Sequence, residues 1–160
     1  MNWDALFREQ YPFLVRQAAR ILGNQSEGED IAVEAFVRLM AERSAVRHYG
    51  GWLKRCVLHL ALDRLRANHR RANREKLAGA TPGADNQESR LIAEQEQARV
   101  RWILTRLPHR DAVLLMGRAE GCSYRELAEM AGIRLTSVGA MLAKAEERFK
   151  ERYERHYGTR

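Results

Sequence analysis

His59 and Asp63 stand four residues apart, a spacing that on a helix brings both side chains to one face, as two metal ligands would need. No third ligand lies nearby in sequence, and a helical His/Asp pair more often makes a local hydrogen bond. Cys56 and Cys122 are isolated, without a CxxC pair or a Cys/His cluster, so neither a zinc site nor a disulfide framework is expected. Both cysteines read as reduced, buried small hydrophobes. There is no glycine-rich phosphate loop and no GxSxG motif. No catalytic residue, metal or cofactor is therefore expected, and the chain does not read as an enzyme.

The chemistry that the residue types do support is the binding of a polyanion. The net charge is +7 and the isoelectric point about 9.9. Between residues 44 and 76 the cations Arg47, Lys54, Arg55, Arg64, Arg66, Arg70, Arg71, Arg74 and Lys76 face only Asp63 and Glu75. Residues 1–43 are slightly acidic instead, which suggests one face for an anion and another for something else. Trp52 stands near the start of the helix in this stretch, and an aromatic ring beside cations is the arrangement that holds unstacked bases while the phosphates are tracked. A simple core position is the alternative for Trp52, as it is for Tyr49.

These groups must be positioned by helices, because helical spacing recurs throughout and no sustained alternation signals a strand. Leu6, Leu14, Ala18 and Ile21 mark a first helix, closed by Gly23 and Asn24. Ser26 with Glu29 forms a capping box for a second, which buries Ile31, Ala32, Ala35, Phe36 and Leu39. After a loop around "HYGG", Trp52, Leu53, Cys56, Val57, Leu60, Ala61 and Leu65 form the stripe of a third helix, whose other face carries Lys54, Arg55, Arg64 and Arg66. "LAGATPGADNQES", from Leu77 to Ser89, reads as a flexible linker. The expected fold is all-α: two small helical domains, 1–76 and 91–160, joined by a linker at 77–90.

Beyond the linker, helices are expected over Leu91 to Leu107 and Arg110 to Ala119, with Gly121 as a break and Ser123 as the cap of the next. Ala128, Gly132 and Val138 then occupy the crossing, turn and anchor positions of a helix-turn-helix unit, supported by Leu127, Ile133 and Leu142. A plain helical hairpin is the bland alternative. Arg125, Arg134, Lys144 and Arg148 can hold phosphates, while Thr136 and Ser137 can reach base edges or backbone.

Taken together, the two halves resemble a bacterial sigma factor of the extracytoplasmic-function type, over nearly the whole chain. "ILGNQSEGEDIAVEAFVRLM" is similar to the family's polymerase-docking segment, matched at Asp30, Glu34, Phe36 and Leu39. "GWLKRCVLHLALDRLRANHRR" resembles the segment that melts and reads the minus-ten element, matched at Trp52, Leu53, Asp63, Leu65 and Arg66. "LPHRDAVLLMGRAEGCSYRELAEMAGI" resembles the domain that reads the minus-thirty-five element, with Ser123 and Tyr124 among the matches. Departures are Val33 for a common Gln, His59 for a common Asn, and Gly139 and Met141 where basic residues often stand.

The resemblance implies binding to core RNA polymerase through Asp30, Glu34, Phe36 and Leu39. It implies DNA contacts from the Trp52 helix, including His59 and Asp63, and from the helix-turn-helix. An inhibitory anti-sigma protein is a further partner that it allows. No apolar run could span a bilayer, and "MNWDALFREQ" lacks a basic-then-apolar signal layout, so a cytoplasmic location is expected. Two other readings remain open: a free-standing helix-turn-helix regulator, and a metal-dependent helical enzyme using His59 and Asp63.

Overall fold

The computed structural model describes residues 2–77 and 92–158. Seven α-helices run through them: α1 (Trp3–Leu22), α2 (Gln25–Glu42), α3 (Tyr49–Leu77), α4 (Ile92–Arg106), α5 (His109–Ala119), α6 (Tyr124–Ala131) and α7 (Val138–Tyr157). Short 3-10 turns at Arg43–Ala45 and Leu135–Ser137 precede α3 and α7. There is no strand among the described residues, in keeping with the all-α expectation.

Gly23 and Asn24 both end α1 and start α2. Gly23 is left-handed at φ 69, and its N–H reaches Ala19 O at 2.7 Å. Asn24 is extended, and its side chain accepts from Glu27 N at 2.9 Å. The expected Ser26–Glu29 capping box is thus replaced by Asn24. The chain turns in two residues, so the helix begins before Ser26, which lies inside its first turn. The two helices then cross closely at Gly28, where a Cβ would sit 2.9 Å from Val15 O and Ala19 N.

The expected "HYGG" loop is also shorter than its glycines suggest. Tyr49, Gly50 and Gly51 already belong to α3, and Trp52 N bonds to His48 O at 3.0 Å. Tyr49 packs against Trp3 of α1, with ring centroids 5.7 Å apart. Tertiary packing here outweighs the turn preference of the glycines. Leu77, expected in the linker, is the last residue of α3, and the remainder of the linker lies outside the described residues, as does Leu91.

The apolar core joins the expected stripes of α1, α2 and α3 to Ile103, Leu104, Leu107, Leu114, Leu127, Val138 and Leu142. Leu58 and Leu62 are enclosed as well, outside the predicted stripe. Their burial follows from the place of α3, which packs on α1 and α2 and also on α4 and α5.

In the helix-turn-helix the local signals act as expected. Ser123 Oγ accepts from Glu126 N at 3.1 Å while Glu126 accepts from Ser123 N at 3.1 Å, a reciprocal cap. Gly132 takes φ 67 at the turn, a conformation that costs an L side chain steric strain, and Ile133 N bonds to Ala128 O at 3.0 Å. Val138 is fully buried and anchors α7. Gly117 allows α5 to meet α6, since a Cβ there would lie 2.6 Å from Leu127 Cδ2.

Candidate nucleic-acid interface

The outer face of α2 carries one group of candidate residues. Asp30 is exposed, and Glu34 is partly exposed, accepting from Arg38 Nη2 at 2.9 Å. Phe36 and Leu39 lie in the core instead, at 7% and 0% exposure, so the expectation that they touch a partner gives way to a packing role. They are the inward rows of the same helix. The outward row holds Val33, Val37 and Met40, which are 47%, 61% and 58% exposed. This apolar strip flanked by carboxylates was missed in the sequence, although its i, i+4, i+7 spacing was available.

The start of α3 builds a second surface. Trp52 is half-buried between two clefts of about 370 and 380 Å³. The first is lined by Arg38, Arg55, Cys56, His59, Asp63 and Glu129, and the second by Arg47, His48, Arg55, Glu126 and Glu129. Burial pushes the Cys56 thiol up to about 11, with Arg38 opposing and Glu34 and Glu42 adding to the rise. Cys56 therefore stays protonated at neutral pH and is a poor nucleophile. It is half-buried, against the expectation of full burial, whereas Cys122 is buried, and both are free.

The cations assigned to α3 are all engaged within the protein. Lys54 Nζ sits 5.0 Å from the Phe13 ring centroid. Arg64 lies 3.8 Å from the Glu27 carboxylate, which also accepts from Asn68. Arg55 pairs with Glu129, and Arg66 Nη2 donates to Leu107 O at 3.0 Å. Asp63 is exposed, as are Arg70, Arg71 and Arg74 two to three turns further on. Those three carry the basic run toward the end of α3, with Arg71 Nη2 donating to Asn68 Oδ1 at 2.9 Å.

His59 meets His109 and not Asp63, with Nδ1 and Nε2 3.3 Å apart. Burial lowers the His109 pKa, helped by Arg66 and His59 and opposed by Asp63. A histidine whose proton affinity is depressed in this contact supports it above the ordinary value of 6.5 and loses that support as pH falls below it. No cluster of three His, Cys, Asp or Glu side chains suited to a metal ion occurs among the described residues.

On the helix-turn-helix, Arg125, Arg134, Thr136 and Lys144 are exposed and Ser137 is half-buried. Tyr124 is exposed, with the Arg118 guanidinium 5.4 Å from its ring centroid. The Ser123 hydroxyl is occupied by its cap. Arg148 is spoken for as well: Nη1 donates to both oxygens of buried Asp111, at 3.1 and 2.8 Å, and the bond raises its already high pKa further. Its expected phosphate role gives way to tying α7 to the start of α5.

Of the two neutral positions, Met141 packs against the core while Gly139 is exposed. A Cβ on Gly139 would meet only Tyr124 Cε2, at 3.9 Å, so a side chain fits. Gly139→Lys in the full chain is expected to steepen the log-log salt dependence of duplex binding by about 0.9, the signature of one added phosphate contact. Titrations at several salt concentrations check this, and an unchanged slope would place residue 139 away from the DNA backbone.

The comparisons with known proteins agree with this architecture. The sequence profile of sigma-70 region 2 matches residues 6–71, which are α1, α2 and most of α3. Residues 6–71 are thus similar to a sigma-70 region 2 domain. The chain is 28% identical over 169 aligned positions to the ECF RNA polymerase sigma factor SigE of Mycolicibacterium smegmatis, an alignment that takes in 97% of this chain. The chain spans 63% of that relative's length. The solved structure of the sigma factor RpoE in complex with the anti-sigma factor NepR from Bartonella quintana matches with a TM-score of 0.55 at 15% identity, over 93% of this chain and 94% of that one. That likeness is one of fold. No helix among the described residues is long and apolar enough to cross a membrane.

Proposed function

We propose that the chain binds core RNA polymerase and directs it to promoter DNA in the cytoplasm, without catalytic chemistry of its own. The observation that carries this reading is the outer face of α2, where Val33, Val37 and Met40 form an exposed apolar strip beside Asp30 and Glu34 within the segment similar to sigma-70 region 2. An apolar strip with an acidic margin fits a basic, partly apolar surface on a large partner. In this reading residues 1–76 dock the polymerase and hold the opened minus-ten strand, with Trp52 as the stacking ring. Residues 91–160 read the minus-thirty-five duplex through α6 and α7. The neutral start of α7 is tolerable because the polymerase supplies most of the binding, leaving the second half to add register and modest discrimination. An anti-sigma protein is a further partner of the same class as the one named for the solved relative.

The test is transcription in vitro by bacterial core polymerase on a library of promoter fragments, with and without the protein. Start sites should appear that depend on the protein. A protein that binds duplex DNA by itself and leaves polymerase output unchanged would be a free-standing regulator instead.

A further inference from the structure

Where α3 packs against α4 and α5, the seam between the two halves opens into a cleft of about 360 Å³. Arg66, His69, Arg70 and Asn73 line it from α3, at the i, i+3, i+4 and i+7 positions of one helical face. Arg106 and His109 line it from the corner that joins α4 to α5. No residue of the lining carries a carboxylate. The clefts beside Trp52 differ in this respect, because Glu129 stands there against Arg55.

The three guanidiniums of this cleft are short of counter-charge. Among the described residues none of them pairs with an acid. Arg66 gives Nη2 to Leu107 O, while its buried Nε has no partner. Arg106 lies 5.0 Å from the Trp102 ring centroid, a contact that uses its face and not its donors. The imidazoles register the same field. Burial and then Arg106 lower the His69 pKa, as burial and then Arg66 lower that of His109, with His59 adding to the second fall and Asp63 opposing it.

Cations that converge from two walls on a small volume, with no acid between them, match an oxyanion. Guanidinium forks donate in pairs to phosphoryl oxygens, and Asn73 and Thr105 add neutral polar groups to the lining. The volume is that of a small-ligand site. A duplex would present a backbone phosphate only at the mouth, whereas a free phosphate ester can enter and meet both walls.

We propose that this cleft is a binding site for a small phosphorylated anion, held by Arg66, Arg70 and Arg106. It lies about four turns along α3 from Trp52, and it stands whether or not the chain directs a polymerase.

The test titrates the full chain with inorganic pyrophosphate at constant ionic strength and follows the ring C–H signals of its five histidines by NMR. His69 and His109 should shift saturably, while His48 and His156, outside the cleft, stay in place. At saturation the pKa values of His69 and His109 should rise, because the bound anion offsets Arg66 and Arg106. Arg70→Gln combined with Arg106→Gln is expected to weaken binding by roughly tenfold or more, as lost charge-assisted hydrogen bonds do. Both arginines are exposed, and the wild-type shifts are read without any variant. Arg99→Gln is the control: it removes an exposed guanidinium of α4 that lies 4.9 Å from the Tyr157 ring centroid, outside the cleft, and should change affinity by less than about twofold. Absence of a saturable shift at His69 and His109 overturns the proposal. Equal weakening in the control also overturns it, since binding would then follow overall charge. If a duplex oligonucleotide moves these two rings and pyrophosphate does not, the cleft serves the DNA backbone and the proposal fails.

Discussion

Asp30→Arg combined with Glu34→Arg is expected to abolish co-elution with core RNA polymerase while leaving the helical content unchanged. Both positions lie on the solvent side of α2, and the only described hydrogen bond at stake is the surface contact between Glu34 and Arg38. Exposed pairs of this kind contribute about 0–1 kcal/mol, so the fold should tolerate the change. At an interface the same reversal sets like charges against a basic partner and strands them beside Val33, Val37 and Met40. Losses of about 2–4 kcal/mol at such positions correspond to roughly thirty- to a thousandfold in affinity. Val37→Arg is a second route to the same end, since its side chain is among the most exposed apolar groups on the protein. The measurement is gel filtration with core polymerase, followed by circular dichroism of the free variant. Unchanged co-elution of both variants would remove α2 from the docking surface.

Trp52→Ala is expected to weaken strand opening far more than polymerase association. A stacking ring lost from a single-strand site costs about 1–3 kcal/mol per base, or roughly five- to a hundredfold. The ring lines two clefts and is not enclosed, which leaves it a face for a base. It also packs against the core, so truncation costs some stability. Trp52→Phe separates the two roles, because a smaller aromatic keeps a stacking face. Permanganate reactivity of thymines in the promoter, with each variant bound to polymerase, reads the opening directly. Equal loss of opening in both variants with polymerase binding intact would mean that the tryptophan contributes its shape or its N–H and not stacking. Loss of fold in Trp52→Ala, with normal opening by Trp52→Phe, would return the residue to the core.

Local rules made much of the helical framework legible. The 3.6-residue period gave the buried faces of α1 and α2, and Ser123 and Gly132 mark the ends of α6 through contacts that span only a few residues. The cap of α2 was misread because Asn24 and Ser26 are both good N-caps. The choice between them rests on the two-residue turn that starts at Gly23. Leu58 and Leu62 lay outside a one-sided stripe because nothing in a local window says that α3 is covered from two directions. The seam was the least legible part. Arg55 and Glu129 are 74 residues apart and Arg20 and Glu120 are 100 apart, and no spacing rule links them. For the same reason a cation-rich helix looked like an open DNA face when its first turns are already occupied.

The pairing of Arg55 with Glu129 also bears on how such a chain can evolve. A carboxylate that pairs across the two halves answers to both of them, so Glu129 is held by a requirement that packing within the second half alone would not impose. The halves are then not freely interchangeable modules. A chimaera that took its second half from a protein lacking an acid at this position would leave the Arg55 guanidinium without its carboxylate and would have to find another way to match the two surfaces.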